Sequence, residues 1–323
     1  MSKESRLKAK ERSIAARRKA ALKKRIPIVL LVVILVTAGI LVGKRIADNY
    51  ARTHVDFTKY INADGTLKDI KSTDYFKTFQ DLDAIDLTIA LEATEDEVNT
   101  LKITYMKLLQ SQAEEAFAEG TEDSAVLAAL DDAWVEKYAA TFLGEDFEHT
   151  AEGFNTCLKT FADDSALSEA QSAVTEYMSQ NCELKKTPKK YIRFLKKAGM
   201  RAIMKAQYNE NLRQQGSVEN SMSFDEAVKN AYGSDKEFQK DLEILAESEA
   251  KSDLLWLAVY EKLGLNYTLE DCKNEYYKDA KLTAEEIEAD WKERVKAFSE
   301  VYLLKDYKCR KAQEVLTERV AGK

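Results

Sequence analysis

Residues 235–263 read DKEFQKDLEILAESEAKSDLLWLAVYEKL, and this stretch decides the class of fold. Its first half is apolar at Phe238, Leu242 and Leu245, a spacing that draws one stripe along a helix. Its second half, Leu254-Leu255-Trp256-Leu257-Ala258-Val259-Tyr260, is apolar on every face. Such a helix has to be surrounded by protein, so residues 254–260 are expected at the centre of the fold.

The text on both sides is helical and well punctuated. Thr94/Glu97, Ser223/Glu226, Ser234/Glu237 and Thr283/Glu286 are capping-box pairs, each ahead of an apolar-periodic run. Gly233 and Gly264 stand where glycines end helices, and Thr187-Pro188 is an N-cap followed by proline at the first helical position. These signals predict helices over 95–118, 123–142, 150–181, 188–214, 224–232, 235–263, 269–279 and 284–320. The last carries Trp291, Val295, Phe298 and Tyr302, then Cys309, Ala312, Leu316 and Val320. Lys305 and Asp306 interrupt its stripe, and a break is expected within the run 284–320.

Before Leu91 the chain is irregular. Asn62-Ala63-Asp64-Gly65 reads as a turn, and the period-two alternation of residues 84–90 predicts a short strand. Asn62 and Asp64 faintly suggest a calcium loop. Tyr60 stands where the first acidic ligand belongs and Lys71 where the closing glutamate belongs, so the turn is preferred.

Composition agrees with an all-α chain. Of 323 residues, 45% are hydrophobic and 33% charged, as in a globular protein, and only 11 Gly and 2 Pro are available for turns. Two histidines, His54 and His149, leave little material for metal sites or imidazole acid–base chemistry. No glycine-rich phosphate loop, nucleophile elbow or zinc-protease motif occurs. Acidic neighbours such as Glu114-Glu115 and Glu285-Glu286 read as solvated helix faces. No catalytic residue, cofactor or metal is expected.

Charge is uneven. Residues 1–25 hold eleven Lys/Arg and two Glu, a net +9, which leaves −16 on residues 26–323. Residues 26–43, IPIVLLVVILVTAGILVG, carry no charge across 18 positions, about 27 Å of helix. This predicts a single-pass anchor at 26–46 with residues 1–25 cytoplasmic and the body outside the cell membrane. A cleaved signal peptide is the competing reading, with Val36-Thr37-Ala38 as a weak cleavage site. The basic head can lie on anionic lipid headgroups. It has no aromatic residue for base stacking, which argues against nucleic acid. Residues 47–92 then form a linker with short strands, and 93–323 form a helical domain. In an extracytoplasmic body Cys157, Cys182, Cys272 and Cys309 can pair, 157–182 with 272–309 being favoured by proximity, and buried free thiols are equally expected.

A binding surface is the better-supported function. The helix at 188–214 carries Tyr191, Phe194, Leu195, Met200, Ile203, Met204 and Tyr208 on more than one face, with Met222 and Phe224 just beyond. Lys189, Lys190, Arg193, Lys196 and Lys197 alternate with the first of them. Met and aromatic side chains repack readily against varied apolar partners, so these nine residues are the expected polypeptide-binding set.

The order of segments resembles the C-terminal chaperone domain of bacterial trigger factor, a fold shared with SurA-type extracytoplasmic chaperones. Leu130-Asp131-Asp132-Ala133-Trp134-Val135 is similar to the stretch that opens that domain. Val174-Thr175-Glu176-Tyr177-Met178, Cys182-Glu183-Leu184 and Pro188 resemble the helix end, link and proline that start its first arm. Ala231-Tyr232-Gly233, then Tyr260-Glu261-Lys262-Leu263-Gly264-Leu265 and Thr268-Leu269-Glu270-Asp271, resemble its later passage. The resemblance covers about residues 120–323.

It implies an elongated multi-helix domain with arm-like hairpins that hold unfolded or nascent secreted polypeptides. The ribosome-docking domain has no counterpart. Residues 66–118 resemble only the start of the family's prolyl isomerase domain, so isomerase activity is not implied. The competing expectation is a helical scaffold or assembly protein with one dedicated folded partner at the membrane.

Overall fold

The computed structural model describes residues 55–144, 147–214 and 221–322. The basic segment 1–25, the anchor expected at 26–46 and the first part of the linker lie outside the described residues. Among the described residues no helix is long and apolar enough to cross a membrane.

The fold is mostly helical, as expected. Its helices are α1 (Glu95–Gln112), α2 (Asp123–Ala128), α3 (Asp132–Tyr138), α4 (Ala140–Leu143), α5 (Ala151–Asn181) and α6 (Lys189–Phe194). A π-helical turn, Leu195–Gly199, joins α6 to α7 (Met200–Gln214). There follow α8 (Phe224–Tyr232), α9 (Asp235–Leu263), α10 (Leu269–Tyr276), α11 (Ala284–Phe298) and α12 (Glu300–Ala321). One short antiparallel pair, β1 (Phe76–Thr78) and β2 (Glu183–Leu184), is the sheet among the described residues.

The chain divides into two compact units, one containing Arg193–Glu243 and the other Phe57–Ile192 with Ile244–Lys323. In sequence the smaller unit is an insertion whose ends fall inside α6 and α9.

α5 contributes to two apolar cores of the larger unit. Its first turns supply Phe154 and Leu158 to a core with Met106, Trp134, Val135 and Leu143. Its last turns supply Val174 and Met178 to a core with Leu255, Trp256, Val259, Ala312 and Leu316. A 31-residue helix is about 46 Å long, enough to serve both. Residues Leu254 to Tyr260 are all buried, as a segment apolar on every face must be.

Local chemistry explains most helix starts. Thr94, Ser223 and Thr283 each make the reciprocal capping box with Glu97, Glu226 and Glu286. The Ser234 hydroxyl accepts the Glu237 N–H at 3.3 Å. Asn62–Gly65 is a turn, with Gly65 at φ 78° and Asp64 accepting the Thr66 N–H and hydroxyl.

Two expectations are corrected. Residues 84–90 form no strand; the strand lies earlier, at β1, where Phe76 faces Leu184 across the pair. The helix expected over 123–142 is three short helices, because Asp131 caps α3 by accepting the Trp134 N–H at 2.7 Å. The break expected within the last helix is present and falls at Ser299 (φ 67°); Lys305 and Asp306 lie within α12.

The four cysteines are free thiols. Cys157 and Cys182 cannot pair because α5 runs unbroken between them, about 37 Å along its axis. Cys272 faces the Leu303 carbonyl while Cys309 faces Asp253, so that pair does not meet either.

Gly153 in α5 is closely approached by the backbone before the helix. A Cβ there would lie 2.0 Å from the backbone oxygen of Glu148. Gly153→Ala is expected to cost about 1–3 kcal/mol of stability, read by chemical denaturation of the full chain.

Candidate functional site

Most of the nine residues expected to bind polypeptide are interior. Tyr191, Phe194, Leu195, Met200, Ile203 and Phe224 are all buried; Met204 and Tyr208 are half-buried, and Met222 is 45% exposed. The cause is the π-turn. Read at 3.6 residues per turn, Leu195 and Met200 fall on different faces and imply two apolar stripes. The Met200 N–H instead donates to the Leu195 carbonyl, five residues back, so the two side chains share a face and the stripes merge into one. Gly199 permits this turn, since a Cβ there would come within 2.9 Å of Leu195 Cδ2 and 3.0 Å of Phe194 Cε1.

Within the smaller unit, Phe224 packs edge-on to Phe238 with ring centres 5.9 Å apart, and Tyr208 packs on Phe224 at 5.7 Å. Arg201 covers both phenylalanine rings while its guanidinium bonds Asp225 at 2.8 Å and Asp235 at 2.5 Å. The Tyr208 hydroxyl donates to the Met222 carbonyl at 2.7 Å. This is a packed core with its charges satisfied.

Open apolar side chains include two on neighbouring helices of the larger unit. Phe161 on α5 is 42% exposed and Leu108 on α1 is 47% exposed. Phe161 stands in a groove of about 390 Å³ between these two helices, with Ala93, Leu101, Tyr105, Ala162 and Ala166 as the rest of its apolar lining. Glu97 and Glu169 supply its only ionisable side chains other than Tyr105. The groove is held open by defined contacts. The Asp163 carboxylate accepts the Ala93 N–H at 3.0 Å and the Lys159 ammonium at 2.7 Å, fastening the approach to α1 onto α5. Phe142 packs against Tyr105, Phe154 and Phe161, which supports the groove from beneath. Sequence reasoning did not reach these residues. Phe161 belongs to a helix whose other aromatic positions are core, and periodicity alone does not separate it from them.

The strongest electrostatics in the larger unit are inside it. Lys305 on α12 is 1% exposed, and its ammonium lies 2.5 Å from Asp253 and 3.4 Å from Glu249, both on α9. The Tyr191 hydroxyl donates to the other Asp253 oxygen at 2.7 Å, and the ring of Tyr302 lies 4.8 Å from the ammonium. Burial opposes the charge on Lys305, but the adjoining Asp253 carboxylate holds it protonated. Burial, reinforced by the charge of Asp253, raises the Glu249 carboxyl above its ordinary range. Burial also pushes the Cys272 thiol up to about 11 and raises Cys309, so neither is a ready nucleophile. The cluster joins α6, α9 and α12 within the larger unit.

No protein family, curated protein or solved structure matches this chain.

Removing the buried cation should be costly. Lys305→Met leaves Asp253 and Glu249 uncompensated and is expected to lose about 3–5 kcal/mol in denaturant titration. The pH response of Glu249 has a definite sign. Its folded-state pKa is raised, so its contribution to stability is full below the unfolded value and is lost as pH rises through the folded one. Glu249→Gln should therefore melt close to the native chain at pH 4 and above it at pH 8. A gap that is constant with pH would contradict this assignment.

Proposed function

We propose that this protein is a membrane-anchored, extracytoplasmic holding chaperone that binds unfolded polypeptide segments without catalysis. The observation that carries the reading is the α1/α5 groove, of mixed polar and apolar lining, with an exposed phenylalanine and acidic margins. Its open, mixed lining suits weak contact with side chains of varied shape. Residues 26–46 tether the body at the membrane and raise its concentration near emerging chains, while residues 1–25 rest on anionic lipid. The order of segments that resembles the trigger factor and SurA chaperone domain supports the same function, and clients are unfolded or nascent secreted polypeptides. This reading moves the client surface from the helix at 188–214 to α1 and α5.

A helical scaffold with one dedicated folded partner is the second reading. It is favoured by the burial of Tyr191, Phe194, Leu195, Met200, Ile203 and Phe224, which leaves less free apolar surface than a cradle with open arms would present.

The full chain in lipid nanodiscs should suppress aggregation of a chemically unfolded, unrelated protein at near-stoichiometric ratios. Phe161→Asp should weaken that suppression severalfold without changing the thermal unfolding midpoint. A folded protein that suppresses nothing would remove the chaperone reading in favour of the scaffold.

A further inference from the structure

A second cavity, of about 310 Å³, lies in the larger unit between α5, α9 and the β1–β2 pair. Phe76, Leu184, Leu255 and Trp256 form its apolar part, and Cys182 and Thr175 complete the wall on one side. Its polar part is unusual for this chain. Residues 26–323 carry 54 Asp and Glu, yet the cavity is lined by Lys251 and by no carboxylate.

The donors there face solvent: Ser179, Ser248, Lys251 and Ser252 are all exposed. Thr100, Thr104, Thr160, Thr175 and Thr317 all turn their hydroxyls back onto the carbonyl four residues earlier. Ser179 on α5 and Ser248 and Ser252 on α9 also line the cavity, and their hydroxyls make no hydrogen bond among the described residues. Lys251 makes no ion pair among the described residues. Trp256 is 4% exposed and contributes to the wall of the cleft. Thr175 is already occupied, accepting from Gln313 at 2.9 Å, and the Cys182 sulfur accepts the Gln80 N–H at 3.4 Å.

Three hydroxyls and an ammonium beside an aromatic wall match one ligand chemistry: a carboxylate carried on an apolar or aromatic group. We propose that this cleft binds such a carboxylate, with Lys251 and the three serines receiving its oxygens and Phe76 and Trp256 packing its apolar part. Charge-assisted hydrogen bonds in a partly enclosed site are the strong kind, and the acidic remainder of the body repels the same ligand elsewhere. The volume suits a single side chain with its carboxylate, as at the C-terminal end of a polypeptide or in a small aromatic acid. The inference does not depend on the chaperone reading, because no residue of the α1/α5 groove takes part.

Calorimetric titration of the full chain in nanodiscs tests it with four probes. These are N-acetyl-phenylalanine, its amide, and a ten-residue peptide ending in phenylalanine with a free or an amidated terminus. At least one acid should bind about tenfold more tightly than its amide, the scale of one charge-assisted contact. Lys251→Gln should abolish that preference with the fold unchanged by circular dichroism, and Ser252→Leu should block both acids. Preference confined to the peptide acid assigns the site to chain ends; preference for the small acid as well assigns it to free aromatic acids. Equal binding of acid and amide, absence of binding, or a preference that survives Lys251→Gln would overturn the proposal.

Discussion

Residues 254–260 of α9 have no face that tolerates water, and the larger unit is organised around satisfying them. Leu255, Trp256 and Val259 are closed off by α5 through Val174 and Met178, and by α12 through Ala312 and Leu316. The segment before α1 closes another side with Leu82 and Ile85. Glu261, one residue past the apolar run, accepts the Ser72 N–H and the Thr73 hydroxyl and so ties that segment to the end of α9. The Tyr260 hydroxyl accepts the Tyr267 N–H and holds the turn that leads into α10.

The same helix carries the costliest electrostatics of the unit. Asp253 adjoins the apolar run directly and is buried with it, so its charge has to be met inside the protein. Lys305 and Tyr191 meet it from two other helices. Apolar burial is non-directional and permits helices to slide, whereas a lysine and a tyrosine hydroxyl reaching one carboxylate do not. The cluster therefore specifies the register of α6 and α12 on α9, at the expense of a strongly desolvated pair.

Two of the open clefts of the larger unit are chemically unlike. The α1/α5 groove has an exposed aromatic and acidic margins and presents apolar surface to whatever approaches. The α5/α9 cleft is smaller, has hydroxyl donors and one cation, and excludes carboxylates from its own lining. α5 borders both, the first through Phe161 and Ala162 and the second through Thr175 and Ser179. One long helix thus presents an apolar docking face near its middle and a polar one near its C-terminus.

Helix class, caps and the central apolar run were legible in the residues because they depend on neighbours three or four positions apart. Thr94 with Glu97, Gly233 and the all-apolar face at 254–260 act within one or two turns, where spacing alone is enough. The functional surfaces were not legible in the same way. The π-turn at Leu195–Gly199 changes the period that any face assignment assumes, and it depends on side-chain packing against a glycine. Lys305 reads as an interruption of an apolar stripe until Asp253, 52 residues away, is placed beside it. Ser179 and Ser252 are unremarkable helix residues until α5 and α9 lie side by side. Burial, charge pairing and cavity shape are relations between segments distant in the chain, and only tertiary packing brings those segments together.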